Sequence, residues 1–212
     1  MKNLEGKIVV VTGAGSGIGR ALALQLAAQG AQLALCDVNE TNLQKTVEIA
    51  SAHGVKVYSA LLDVSKRDAF QTFADNVARA LGNASVIINN AGVALSQNVE
   101  GMDRQDFEWV LNINFWGVVN GCEAFLLQLR QQKDAHIVNI SSIFGIIGVP
   151  SQSAYNASKF AVKGFTEALR QELNGSNIHV TCVHPGGIKT NIARNARVHN
   201  DMFGKAADPK KL

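Results

Sequence analysis

The stretch KIVVVTGAGSGIGRALALQLAAQG, residues 7–30, moves from a β-branched run through a glycine cluster into apolar residues at helical spacing. KIVVVT (7–12) reads as a strand, and the pattern from about 18 to 29 reads as a helix. Between them, Thr12-Gly13-Ala14-Gly15-Ser16-Gly17-Ile18-Gly19 lets the backbone turn tightly and approach a ligand. The free N–H groups and dipole at the start of the helix favour a phosphate, which makes Gly13, Ser16, Gly17, Ile18 and Gly19 candidate contacts to a pyrophosphate. The spacing is TGxxxGxG. It is not G-x-G-x-x-G, because the last position falls on Ile18 counted from Gly13 and on Arg20 counted from Gly15. No Gly-Lys-Ser/Thr follows to make a Walker loop. In isolation, a glycine turn that binds nothing would read the same way.

The alternation continues outward from this unit. Strand-like runs at 31–37, 55–63, 85–90, 136–142 and 177–184 alternate with helix-period stretches at 40–52, 66–81, 103–130 and 153–173. Strand, helix, strand repeated in this way predicts an α/β fold in which right-handed crossovers cover both faces of a parallel sheet. The expected form is a Rossmann-type doubly wound sheet of strand order 3-2-1-4-5-6. At 212 residues and 47% hydrophobic, with no internal repeat and prolines only at 150, 185 and 209, a single domain is expected.

Asp37 ends the second strand, where a carboxylate can accept from both ribose hydroxyls of an adenosine and would repel a 2′-phosphate. Ser16 and Val38 are uncharged at places where a basic residue would neutralise that phosphate, so NAD is expected over NADP. Asp63, at the end of the third strand, can accept from an adenine amino group with the Val64 backbone beside it. Both aspartates have an ordinary alternative as turn or cap residues. Further on, Tyr155 and Lys159 lie four apart on a helix-period stretch, so both emerge on one face. An ammonium beside a phenol favours the phenolate, which suits a tyrosine for moving protons near neutral pH. Alone, such a pair is more often a half-exposed aromatic and a solvated charge.

Composition narrows the alternatives. No apolar stretch of spanning length stands out and the N-terminus enters a strand at once, which points to a cytoplasmic protein without a signal peptide or membrane span. Cys36, Cys122 and Cys182 are an odd number without CxxC, and the five histidines lack ligand spacing, so reduced thiols and no metal are expected. Residues 163–212 hold eight Lys or Arg against four Asp or Glu, but the charges are scattered without interleaved aromatics. That reads as a solvated face rather than a nucleic-acid surface.

TGxxxGxG at 12–19, Asn89-Asn90-Ala91-Gly92, Asn114 in NFWG, Ser142, Tyr155-x-x-x-Lys159 and Pro185-Gly186-x-x-x-Thr190 occur in this order. In these motifs the chain resembles the short-chain dehydrogenase/reductase family. The resemblance implies an NAD(P)-dependent oxidoreductase that interconverts a secondary alcohol and a ketone. In that reading Tyr155 is the general acid/base, Lys159 lowers its pKa and binds the nicotinamide ribose, and Ser142 donates to the substrate oxygen. Asn114 helps hold a water that connects Lys159 to solvent. Asn90, Ala91 and Gly92 line the cofactor cleft, and Pro185, Gly186, Ile188 and Thr190 meet the nicotinamide and phosphates. Residues 1–190 would form the catalytic domain and 191–212 part of a substrate loop and tail. The helices at 103–130 and 153–173 would pair between subunits of a homodimer or homotetramer.

Apolar residues after Ser142 (143–149) and after the Asn-Asn-Ala-Gly turn (93–95) suggest an apolar alcohol or ketone as substrate. Family members continue past Pro-Gly-x-x-x-Thr into a further strand and helix, whereas here 22 residues without strand-like alternation follow Thr190. A seventh strand is therefore expected to be missing, leaving the sixth as a sheet edge and one pocket wall absent. This keeps open a nucleotide-binding protein with little turnover. A methyltransferase also pairs a glycine loop with an acid after the second strand, but TGxxxGxG with Tyr155 and Lys159 argues against it.

Overall fold

The computed structural model describes residues 3–188, 192 and 195–198. Its strands are β1 (Ile8–Thr12), β2 (Gln32–Asp37), β3 (Val57–Leu61), β4 (Val86–Asn89), β5 (Leu95–Ser96), β6 (Ala135–Ile140), β7 (Ile178–Val183) and β8 (Arg197–Val198). Six of them form one parallel sheet ordered β3-β2-β1-β4-β6-β7. With the two-residue β5 set aside, this is the expected order, and among the described residues β7 is the edge.

Alternate residues of each strand point to opposite faces, so a strand covered on both sides must be apolar throughout. β1 is buried at all five positions. Val9 and Val11 pack with Leu33, Leu35 and Ile88 under helices α1 (Gly17–Ala28) and α2 (Glu40–Ser51). Ile8 and Val10 face the other layer, which is made by α3 (Arg67–Ala80), α5 (Gly117–Arg130) and α6 (Ser153–Glu172). In that layer Phe70, Phe73 and Phe125 meet edge to face at centroid distances of 6.1–6.4 Å. On β7, Ile178 and Val180 are buried against the α6 layer, while His179 and Val183 on the opposite face are exposed.

The helix predicted at 103–130 is continuous but not uniform. α4 (Arg104–Leu111) runs into a π-helical turn at Asn112–Trp116 and then into α5. Contrary to the sequence expectation, Arg104–Arg130 is long and apolar enough to cross a membrane by length and composition. Its place is in the protein core, where Asn120 Nδ2 donates to Val64 O at 2.9 Å and Gln128 Nε2 donates to Ala74 O at 2.9 Å. The second departure is β8, which pairs in parallel with β5 although residues beyond 190 carry no strand pattern. A two-residue ladder is too short to have a period, and side-chain anchors on α4 hold it in place.

Candidate active site at the carboxyl ends of the strands

A cavity of about 410 Å³ opens where the sheet order reverses between β1 and β4, at the carboxyl ends of the strands. Its floor is the glycine loop. Gly13 and Gly17 have φ of +64° and +53°, a region open to glycine. A Cβ on Gly13 would lie 2.8 Å from Ala91 Cα, and one on Gly15 would lie 2.8 Å from Asp37 Oδ2. A Cβ on Gly19 would collide with the Gly13 carbonyl and come within 2.6 Å of Asn90 Nδ2. Ser16, the N-cap of α1, makes no side-chain cap bond, so no side chain of its own closes off the helix start where Ser16, Gly17 and Ile18 line the cavity.

Hydrogen bonds fix the loop from both sides. Thr12 Oγ1 accepts from Asn90 N at 2.9 Å and Ala91 N at 3.0 Å, and Asn90 Nδ2 donates to Thr12 O at 2.8 Å. Asp37 accepts from Gly15 N at 2.8 Å and Asn39 N at 2.9 Å, so its carboxylate is oriented at the end of β2. Arg20 donates to Gly15 O, to Asn42 O and to Thr46 Oγ1, joining the loop to α2. Asp63 lines the cavity while its Oδ1 closes a turn by accepting from Ser65 N and Oγ.

At the other end α6 presents Tyr155 and Lys159. Ser141 Oγ donates to Lys159 O at 2.9 Å and so ties α6 to the end of β6. Lys159 Nζ donates to Ile140 O at 3.0 Å and lies 5.6 Å from the Tyr155 ring centroid. Ser142 Oγ accepts from Phe144 N at 3.1 Å, and its carbonyl takes a hydrogen bond from His184 Nδ1, which must carry the proton because a carbonyl only accepts. Asn156 donates to Phe144 O and Ile147 O and accepts from Val149 N, stapling the segment after Ser142.

Burial dominates the titration of this pair. It pushes the Lys159 ammonium down to about 8. It pushes the Tyr155 phenol up, with a partial offset from the hydrogen bond to Ser142. The sequence led to the opposite expectation for Tyr155. The difference arises because the ammonium hydrogen-bonds the Ile140 carbonyl, while the phenol has lost most of its water.

A family model described as short chain dehydrogenase matches residues 7–201. The chain belongs to the short-chain dehydrogenase family. SadH of Mycobacterium tuberculosis, named as an oxidoreductase, is 55% identical over 200 residues, covering 93% of this chain and 72% of SadH. The 3-oxoacyl-(acyl-carrier-protein) reductase FabG of Thermotoga maritima is 38% identical over 216 residues, covering 99% of this chain and 88% of FabG. Among solved structures, a short chain dehydrogenase/reductase from Burkholderia phymatum in complex with NAD superposes with a TM-score of 0.89 at 37% identity, covering 92% of this chain and 70% of that one. As a short-chain dehydrogenase, the protein is an oxidoreductase acting on CH–OH groups.

Most of the residues singled out in the sequence line the cavity of this short-chain dehydrogenase: Gly13, Ser16, Gly17, Ile18, Asp37, Asp63, Val64, Asn90, Ala91, Gly92, Ser142, Tyr155, Lys159, Pro185, Gly186 and Ile188. Two stand behind it. Gly19 packs under the loop, and fully buried Asn114 accepts from Val93 N at 2.8 Å and donates to Val93 O and Ser158 Oγ. Thr190 lies outside the described residues. Sequence reasoning missed Thr12 as an anchor, Ser141 and Asn156 as supports of α6, and Ile192 and Asn195 in the cavity lining. The YNASK context flanking Tyr155 was the available signal for Asn156. For Ile192 and Asn195 there was none.

Proposed function

We propose that the protein is an NAD-dependent oxidoreductase that interconverts an apolar secondary alcohol and a ketone. The carrying observation is the convergence of Ser142, Tyr155 and Lys159 on one cavity with the glycine loop and Asp37. The residues present fit a dinucleotide: Cβ-intolerant glycines leave room for close approach, and an oriented carboxylate at the end of β2 suits a free ribose. The solved structures of the Burkholderia phymatum protein in complex with NAD and of an NAD+-bound xylitol dehydrogenase support the same cofactor. NADP is disfavoured by the Asp37 charge.

When bound, the nicotinamide would supply or accept the hydride. Tyr155 gives its phenolic proton to the carbonyl oxygen in reduction and takes the alcohol proton in oxidation. Ser142 donates to that oxygen as negative charge grows on it. Lys159 presents its ammonium beside the phenol and the ribose. In this reading Asn114 supports the proton route from behind the cavity, since its Oδ1 and Lys159 Nζ both lie close to Gly92, 3.2 and 3.5 Å from where a Cβ there would sit. Ile188 and Ile192 line the cavity together with Val93 and Ile113, which favours an apolar substrate. Cys36, Cys122 and Cys182 form no disulfide with one another, which is compatible with a cytoplasmic setting.

NADH oxidation across a panel of apolar ketones tests the reading. Tyr155→Phe should cut turnover by about 10²–10⁴-fold, with NADH affinity nearly unchanged; full activity in that variant would remove Tyr155 from the mechanism. NADH binding with no turnover of any ketone or alcohol would instead mark a nucleotide-binding protein.

A further inference from the structure

Ile192 and Asn195 form part of the cavity lining, yet they follow the family motifs and carry no sequence signal of their own. Among the described residues, Arg197 ties this stretch to the rest of the fold. Arg197 forms an ion pair with Asp106, whose side chain is only 11% exposed, and its guanidinium carbon lies 3.8 Å from the centroid of the Trp109 ring. Asp106 and Trp109 are both on α4. Arg197 N also donates to Ala94 O at 3.1 Å, and β8 thereby pairs with β5 two residues after Val93, which borders the cavity.

We infer that Arg197 is a positioning residue: by clamping β8 to α4 and β5 it sets the pocket wall carrying Ile192 and Asn195, and so governs binding of the apolar substrate. The role in substrate binding rests on the function proposed above. The clamp itself does not. A planar guanidinium can stack on the indole and pair with a carboxylate at once, whereas an ammonium keeps the charge and loses the stack. Arg197 touches neither the substrate oxygen nor Tyr155, so its loss should weaken substrate binding without slowing the chemical step.

The chain has two tryptophans, so Trp116→Phe leaves Trp109 as the sole indole reporter. In that background Arg197→Ala should raise acrylamide quenching of Trp109 at least about twofold, with Arg197→Lys in between. In the otherwise unaltered protein, Arg197→Ala should raise KM for an apolar ketone by about tenfold while kcat and KM for NADH stay within about twofold. Unchanged quenching overturns the clamp whatever the activity. Increased quenching with an unchanged ketone KM, or an equal loss in kcat, overturns the role in the pocket. If the unaltered protein turns over no ketone, the proposed reaction fails and with it the substrate-binding role, while the quenching arm still decides the clamp.

Discussion

Lys159 is fully enclosed, and its ammonium is held down to about 8 by loss of water rather than by a neighbouring cation. The ordinary value is 10.5, so between pH 8 and 10.5 the unfolded chain binds a proton that the folded chain does not. Stability from this group is therefore complete above 10.5 and is lost as pH falls through about 8. Raising pH from 8 to 9 should add about 1 kcal/mol to the urea unfolding free energy relative to Lys159→Met, by the proton linkage of this one group. An identical pH dependence in both proteins would refute the assignment. Cys122, pushed up to about 12 by burial, acts in the opposite sense and only above pH 9. Tyr155 offers a second check at this scale. With Tyr58→Phe it is the remaining tyrosine, and its ultraviolet titration in the free protein should have a midpoint above the ordinary 10. A midpoint below 10 would restore the simpler picture in which Lys159 lowers it. Asp37→Ala should relax discrimination against NADP, since the carboxylate is the negative charge fixed at that end of the cavity. Unchanged NADP to NAD ratios in kcat/KM would show that another group discriminates. The identities at these positions were readable in sequence, because motif spacing encodes them. Their protonation was not, because burial depends on what the rest of the chain packs around them.

Along the elements, the least regular place is the most informative. The π-turn at Asn112–Trp116 sits between α4 and α5, and such widened turns recur at functional sites. Here it places the Asn114 amide inward, where it makes three hydrogen bonds to Val93 and Ser158. Asn114→Leu would leave the Val93 backbone pair without partners in a buried setting. A loss on the order of 2 kcal/mol in denaturant unfolding is expected, together with lower turnover. Unaltered stability would mean that the segment after Gly92 is held by other contacts. The strands and long helices were legible because burial on both sheet faces, or on one helix stripe, imposes a period on the sequence. The π-turn was not, since the apolar pattern of 103–130 runs through it unbroken. Nor were β5 and β8, which lie about 100 residues apart in the chain and pair beside the contact of Arg197 with α4.

At the scale of the whole molecule, apolar surface remains uncovered. Leu127 on α5 is 74% exposed, and Trp116 and Phe160 on the adjoining turn and α6 are about half exposed. These helices form one layer of the sheet, and a second copy of the chain is the occupant we propose for their outer face. Leu127→Glu combined with Phe160→Glu should shift sedimentation from dimer or tetramer to monomer. An unchanged oligomer would move the interface to another face, and β7, an edge strand with exposed His179 and Val183, is the next place to look. By itself the sequence determined the parallel sheet and its order, the glycine cradle, and the identity of Ser142, Tyr155 and Lys159, because local period, turn chemistry and motif spacing are written into neighbouring residues. Only the tertiary structure decided how deeply Tyr155 and Lys159 are buried, that Asn114 hydrogen-bonds Val93 and Ser158, and that Ile192 and Asn195 line the cavity. Each of those follows from water excluded, or partners supplied, by segments distant in the chain, and no local pattern carries that information.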